Sequence, residues 1–128
     1  MVQSATALRS LTSPTETGVV TADFGRMLAA GVTITSVNTV AIGVYPNLYF
    51  PGQDAAAASR LIGAPQIVAS PSTGAPNAAI AQRVGTFLPA VRYAIQIIGD
   101  ASDGSVPELW QYWAADYPGM PGGAGPSG

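Results

Sequence analysis

The chain has 128 residues, the length of one domain able to bury its own core; 48% are hydrophobic and only 9% charged. Five Arg and no Lys face seven Asp and Glu, a net charge of −2, and the Arg lie scattered from Arg9 to Arg92, so no basic stripe for nucleic acid is present. Without Cys, His or Lys the chain has no disulfide, zinc-binding set, thiol nucleophile, imidazole base or Schiff-base amine.

Residues 1–18 are rich in Ser and Thr, with isolated apolar residues at Val2, Ala5, Leu8 and Leu11. They read as an extended arm, dispensable for folding, whose apolar side chains anchor it to a neighbour; Val2, Leu8 and Leu11 are the interface candidates. Nothing here has the charged and apolar pattern of a secretory leader, and no apolar run reaches the roughly 18 residues of a membrane span. Residues 19–24 form a short alternating strand, followed by a connection in which Met27 and Leu28 plug the end of a core. Residues 32–45 are dense in β-branched residues, but the alternation shifts phase after Ile34. Two strands, or a bulge near Ser36, account for that shift.

Leu48, Tyr49 and Phe50 make an apolar knot closed by Pro51-Gly52. Asp54 and the four Ala that follow suit a single helical turn or a loop leading to Leu61. Residues 66–69 read as a short strand, and residues 70–77 as a Pro, Ser and Gly turn cluster. Residues 79–86 then alternate, with Ile80, Gln82 and Val84 on one face. The end of the chain, residues 118–128, is Gly- and Pro-rich and is expected to be a flexible tail.

Residues 87–117 carry the clearest signal, a β-hairpin. Tyr93, Ile95 and Ile97 alternate with Arg92, Ala94 and Gln96; Asp103-Gly104 reverses the chain into a run with Leu109, Trp110, Tyr112 and Trp113. Two registers are open. A two- or four-residue turn puts Trp110 and Tyr112 inward and leaves Ile98, Leu109 and Trp113 outward as interface candidates; a three-residue loop with a Gly bulge buries Leu109 and Trp113. Asp100, Asp103, Glu108 and Asp116 lack the close oxygen spacing of a Ca²⁺ loop. No catalytic residue, metal or cofactor is expected, and the chain reads as a non-enzyme.

About seven short strands and no amphipathic helix predict an all-β fold, a β-sandwich over residues 19–117 flanked by arm and tail. Leu88-Pro89 with Tyr93 resembles the tyrosine corner of immunoglobulin-like and fibronectin-type domains, where a Tyr at the start of a late strand ties down its own loop. Asp23-Phe24, Leu28, Gly31, Thr33-Ile34, Val91-Arg92-Tyr93 and Ser102-Asp103-Gly104 together resemble the marks of small immunoglobulin-like virion proteins of tailed bacteriophages, closest to the fiber–tail adaptor proteins of podophages. The likeness spans residues 19–113. Val91 stands where that group has Thr, and Pro107 falls within the last strand, which suggests an edge position. The resemblance implies an immunoglobulin-like sandwich made in the host cytoplasm and carried in the virion, at the phage tail or head–tail junction. Such a protein forms a homo-oligomeric ring that contacts portal, adaptor and tail-fiber proteins, with neither nucleic acid nor membrane as a partner. A capsid decoration protein, or a carbohydrate- or receptor-binding module on the particle, is the alternative.

Overall fold

Alternating apolar residues and frequent Gly, Pro and Asp turns make strands of most of this chain. The computed structural model describes residues 3–11, 17–46, 48 and 50–115. Its elements are β1 (Gln3–Leu11), β2 (Thr17–Asp23), β3 (Ile34–Val44), a single 3-10 turn (Ala57–Arg60), β4 (Leu61–Val68), β5 (Ala79–Gly85), β6 (Arg92–Ala101) and β7 (Glu108–Ala115). One sheet has the order β1-β7-β6-β3, the other β2-β5-β4. Neighbouring strands are antiparallel except β1 and β7, which run parallel. The protein is thus an all-β sandwich. Among the described residues no helix is long and apolar enough to cross a membrane.

Both sheets contribute to one core. From the three-stranded sheet come Val20, Ala22, Ile80 and Val84; from the other come Ile34, Tyr93, Ile95, Ile97 and Trp113, with Phe24, Phe87 and Val91 closing the ends. Period-two burial along β6 places Tyr93, Ile95, Ile97, Gly99 and Ala101 inward. At Gly99 the sheets come close: a Cβ there would stand 3.1 Å from both Ile34 Cδ1 and Ile80 Cδ1. On β5 the inward set is Ile80, Gln82 and Val84. Gln82 is buried, yet its Nε2 lies 3.2, 3.1 and 2.8 Å from the carbonyls of Ile62, Gly63 and Arg83. It thereby satisfies backbone freed where β4 slips register between Ile62 and Gln66.

Residues 32–45 give one strand, β3, with the irregularity expected near Ser36, between Ile34 and Ser36, and a second between Val37 and Thr39. Other elements differ from what the sequence suggests. β4 starts five residues before the short strand expected at 66–69. Pro107 precedes β7, accepting a hydrogen bond from Gly99 N–H, and β7 is interior, between β1 and β6. The largest difference is at the N-terminus. Residues expected to form an arm for a neighbour form β1, hydrogen-bonded to β7 of the same chain with Gln3 opposite Leu109 and Leu11 opposite Ala115. Val2 and the tail 118–128 lie outside the described residues.

Candidate functional site

The β6–β7 hairpin decides which aromatic residues reach solvent. Ala101 N–H donates to Ser105 O at 2.9 Å, so Ser102, Asp103 and Gly104 form a three-residue loop, with Gly104 at φ 87° and Asp103 Oδ1 accepting from Ser105 N–H at 3.0 Å. The resulting register pairs Tyr93 with Trp113, Ile95 with Gln111 and Ile97 with Leu109. Trp113 is therefore buried in the core, and Leu109 is half-buried against it. Both are corrected from interface candidates to core residues. Ile98 lies half-buried on the opposite, outer face, paired with Thr39 and Glu108.

That outer face gathers a chain of polar and aromatic groups. The Arg92 guanidinium carbon sits 4.6 Å from the centre of the Tyr45 ring and 5.3 Å from that of Tyr112, whose rings are 5.2 Å apart. Arg92 Nε also donates to Tyr45 O at 3.1 Å. Next along the face, Glu108 Oε2 accepts from both Gln96 Nε2 and Trp110 Nε1 at 2.6 Å. Tyr45 stays half exposed. The backbone of Leu8 stands opposite Tyr112 in the β1–β7 register and that of Leu11 opposite Ala115. Phe50 is buried, and Tyr49 and Asp116 lie outside the described residues.

A second constellation sits beneath the loop that enters β6. Leu88 N–H donates to Tyr93 Oη at 3.1 Å, and Tyr93 Oη donates to Asp54 Oδ2 at 2.7 Å. Asp54 also accepts from Arg60 Nε at 2.9 Å and from Ala56 N–H at 2.9 Å. The Arg60 hydrogen bond holds the Asp54 carboxyl below the usual carboxylate range, against its own burial. Burial, then the bond to Asp54, pushes the Tyr93 hydroxyl up to about 12, so it remains a donor at any ordinary pH. Tyr93 stacks on Phe87 at 4.5 Å, and Phe87 meets Trp113 edge-on at 6.3 Å. Pro89 belongs to the same loop, where Thr86 and Ala90 take φ of 55° and 63°, a left-handed conformation uncommon for non-glycine residues. Gly52 N–H donates to Ala90 O at 2.7 Å, and a Cβ on Gly52 would stand 2.7 Å from that oxygen. The loop is thus laced to residues 51–60 from two sides.

The remaining carboxylates gather backbone N–H groups and side chains of neighbouring segments. Asp23 accepts from Gly25 N–H, Ser70 Oγ and Ser72 N–H at 2.9, 2.6 and 2.9 Å; burial raises its carboxyl, but these bonds outweigh it and bring it to about 2. Asp100 accepts from Ser36 and Asn38 of β3. Among the described residues no group of three or more His, Cys, Asp or Glu is placed to hold a metal ion.

Two relationships escape a reading by residue type. Asp54 and Arg60 carry no motif that ties them to Tyr93, and Arg92 has no local signal linking it to Tyr45 and Tyr112. No protein-family model matches the chain, and no curated protein or solved structure matches it either.

Proposed function

We propose that this chain is a non-enzymatic virion structural protein, a subunit of an oligomeric fiber–tail adaptor ring at the head-to-tail connection of a podophage. The observation that carries the reading is the strand arrangement. With β2, β5 and β4 in one sheet and β3, β6 and β7 in the other, the order follows the B-E-D and C-F-G halves of an immunoglobulin-type sandwich. β1 extends the second half beside its last strand. The residues from Asp23 to Gly104 that resemble the phage group fall on β2, the start of β3, β6 and the loops that join strands of this sandwich. Sparse charge suits a subunit flanked by copies of itself and by portal and fiber proteins.

The test is light scattering on the purified full chain, alone and mixed with a purified portal–adaptor complex. A discrete ring-sized species in either sample supports the proposal. A monomer in both that also fails to bind the complex contradicts it.

The alternative, a capsid decoration protein or a carbohydrate- or receptor-binding module displayed on the particle, draws on the outer aromatic face. Tyr45, Trp110 and Tyr112, interleaved with Arg92, Gln96 and Glu108, combine apolar rings with hydrogen-bonding groups. Binding on a glycan array that is lost in Trp110→Ala would favour it.

A further inference from the structure

We infer that the outer face of the β1-β7-β6-β3 sheet binds an acidic sugar, a uronic acid within a glycan, with Arg92 taking the carboxylate and Gln96, Glu108 and Trp110 taking the neighbouring ring. The inference rests on the carbohydrate-binding alternative above, which it deepens, and does not depend on ring formation.

Arg92 is held in place by its neighbours and unpaired at its tip. Its Nε donates to Tyr45 O at 3.1 Å, and in return Tyr45 N–H donates to Arg92 O at 2.7 Å. The guanidinium carbon stands 4.6 and 5.3 Å from the centres of the Tyr45 and Tyr112 rings, so two phenols position the cation without neutralising it. Among the described residues its terminal nitrogens make no hydrogen bond, and the ion pair described joins Arg60 to Asp54. A guanidinium held this way loses little further freedom on binding and offers its planar fork to one carboxylate.

The rest of the face calls for hydroxyl groups. Glu108 Oε2 accepts from Gln96 Nε2 and Trp110 Nε1, both at 2.6 Å, which leaves Glu108 Oε1 and Gln96 Oε1 as acceptors with no donor among the described residues. A polyhydroxylated ligand supplies such donors, and the aromatic rings offer apolar surface to the C–H groups of a pyranose. Arg92 and Gln96 lie four positions apart on one face of β6, roughly 13 Å, the length of a disaccharide. The floor between them is low. It consists of Ala94, opposite Tyr112 on β7, and Gly43 of β3, where an added Cβ would meet nothing within 4 Å. The Glu108 carboxylate also selects: it repels a segment carrying several acidic groups, whereas one carboxylate at Arg92 followed by a neutral ring satisfies both ends.

Cellobiouronic acid and cellobiose differ only in carrying a carboxylate or a hydroxymethyl group on one ring, so the pair isolates the role assigned to Arg92. Each is titrated into the full chain at low salt, with the Arg92 Nε and Trp110 Nε1 signals followed by nuclear magnetic resonance. The acid is expected to bind about tenfold more tightly than cellobiose, the factor that a charge-assisted contact supplies, and to shift both signals. R92Q should bring the acid down to the level of cellobiose, and R92K, which keeps the charge but not the planar fork, should lose most of the preference. R83Q, a change at an exposed position of β5 in the other sheet, should lose none. Equal affinity for the two disaccharides, or an equal loss in R83Q and R92Q, overturns the acidic-sugar assignment and leaves the carbohydrate-binding reading standing. Binding of neither disaccharide overturns both. Tighter binding of a glutamate-containing peptide than of the acid assigns Arg92 to a protein partner and overturns the inference.

Discussion

The Tyr93 hydroxyl donates to Asp54 Oδ2 at 2.7 Å across 39 residues of sequence, while Leu88 N–H donates to the same hydroxyl at 3.1 Å. One phenol therefore fastens the loop before β6 to the segment that ends in the 3-10 turn. Arg60 completes the set by pairing with Asp54, whose side chain is only 3% exposed. Tyr93→Phe removes the acceptor for Leu88 N–H and one donor to a buried carboxylate; a loss of about 1–2 kcal/mol in chemical denaturation is expected. Asp54→Ala strands Arg60 and the phenol together and should cost on the order of 3 kcal/mol. In a double-mutant cycle the two changes should be strongly non-additive. Simple additivity would mean that the hydroxyl and the carboxylate do not act together.

Acid should weaken the fold through Asp23. Its folded carboxyl lies near 2 against an ordinary value of 3.8, so its hydrogen bonds stabilise the protein fully above about pH 4 and are lost as pH falls through 2. Asp54, also lowered, acts in the same direction. Urea midpoints measured from pH 7 to 2 should fall, and Asp23→Asn should flatten part of that fall. Gly25 tests the same corner sterically: a Cβ would stand 2.2 Å from Ser70 Oγ, which donates to Asp23, so Gly25→Ala should cost about 1–3 kcal/mol.

The hairpin register separates two residues that composition treats alike. Trp113→Ala, in the core against Phe87, should cost about 3–5 kcal/mol. Ile98→Ala, on the outer face, should cost about 1 kcal/mol or less. Thermal unfolding of the two variants gives the comparison, and equal losses would contradict the three-residue loop.

Removing residues 1–16 uncovers the edge of β7. A freely dangling arm would leave the thermal midpoint of the monomer unchanged; a sheet strand predicts a lower midpoint, measured on the truncated chain at low concentration.

Much of this fold was legible because period-two burial is a local property. β5 and β6 declare their inward faces through Ile80, Gln82 and Val84 and through Tyr93, Ile95 and Ile97, and Leu88-Pro89 before Tyr93 marks the corner. The hairpin register was not legible, since Asp-Gly suits two-, three- and four-residue turns alike and only the bond between Ala101 and Ser105 selects one. β1 reads as an arm in the sequence because its Ser- and Thr-rich stretch does not alternate and its partner lies about a hundred positions away. The Asp54–Arg60–Tyr93 set and the stack of Arg92 on Tyr45 and Tyr112 are likewise products of tertiary approach. Their members, taken singly, look like ordinary loop and surface residues.

Cryo-electron microscopy of purified particles carrying this protein would show whether the proposed ring of immunoglobulin-type sandwiches sits at a head-to-tail connection. A closed ring of β-sandwich density around the connector, in contact with the fiber bases, is the expected result. The same density dispersed over the head surface, or missing from the particle, would contradict it.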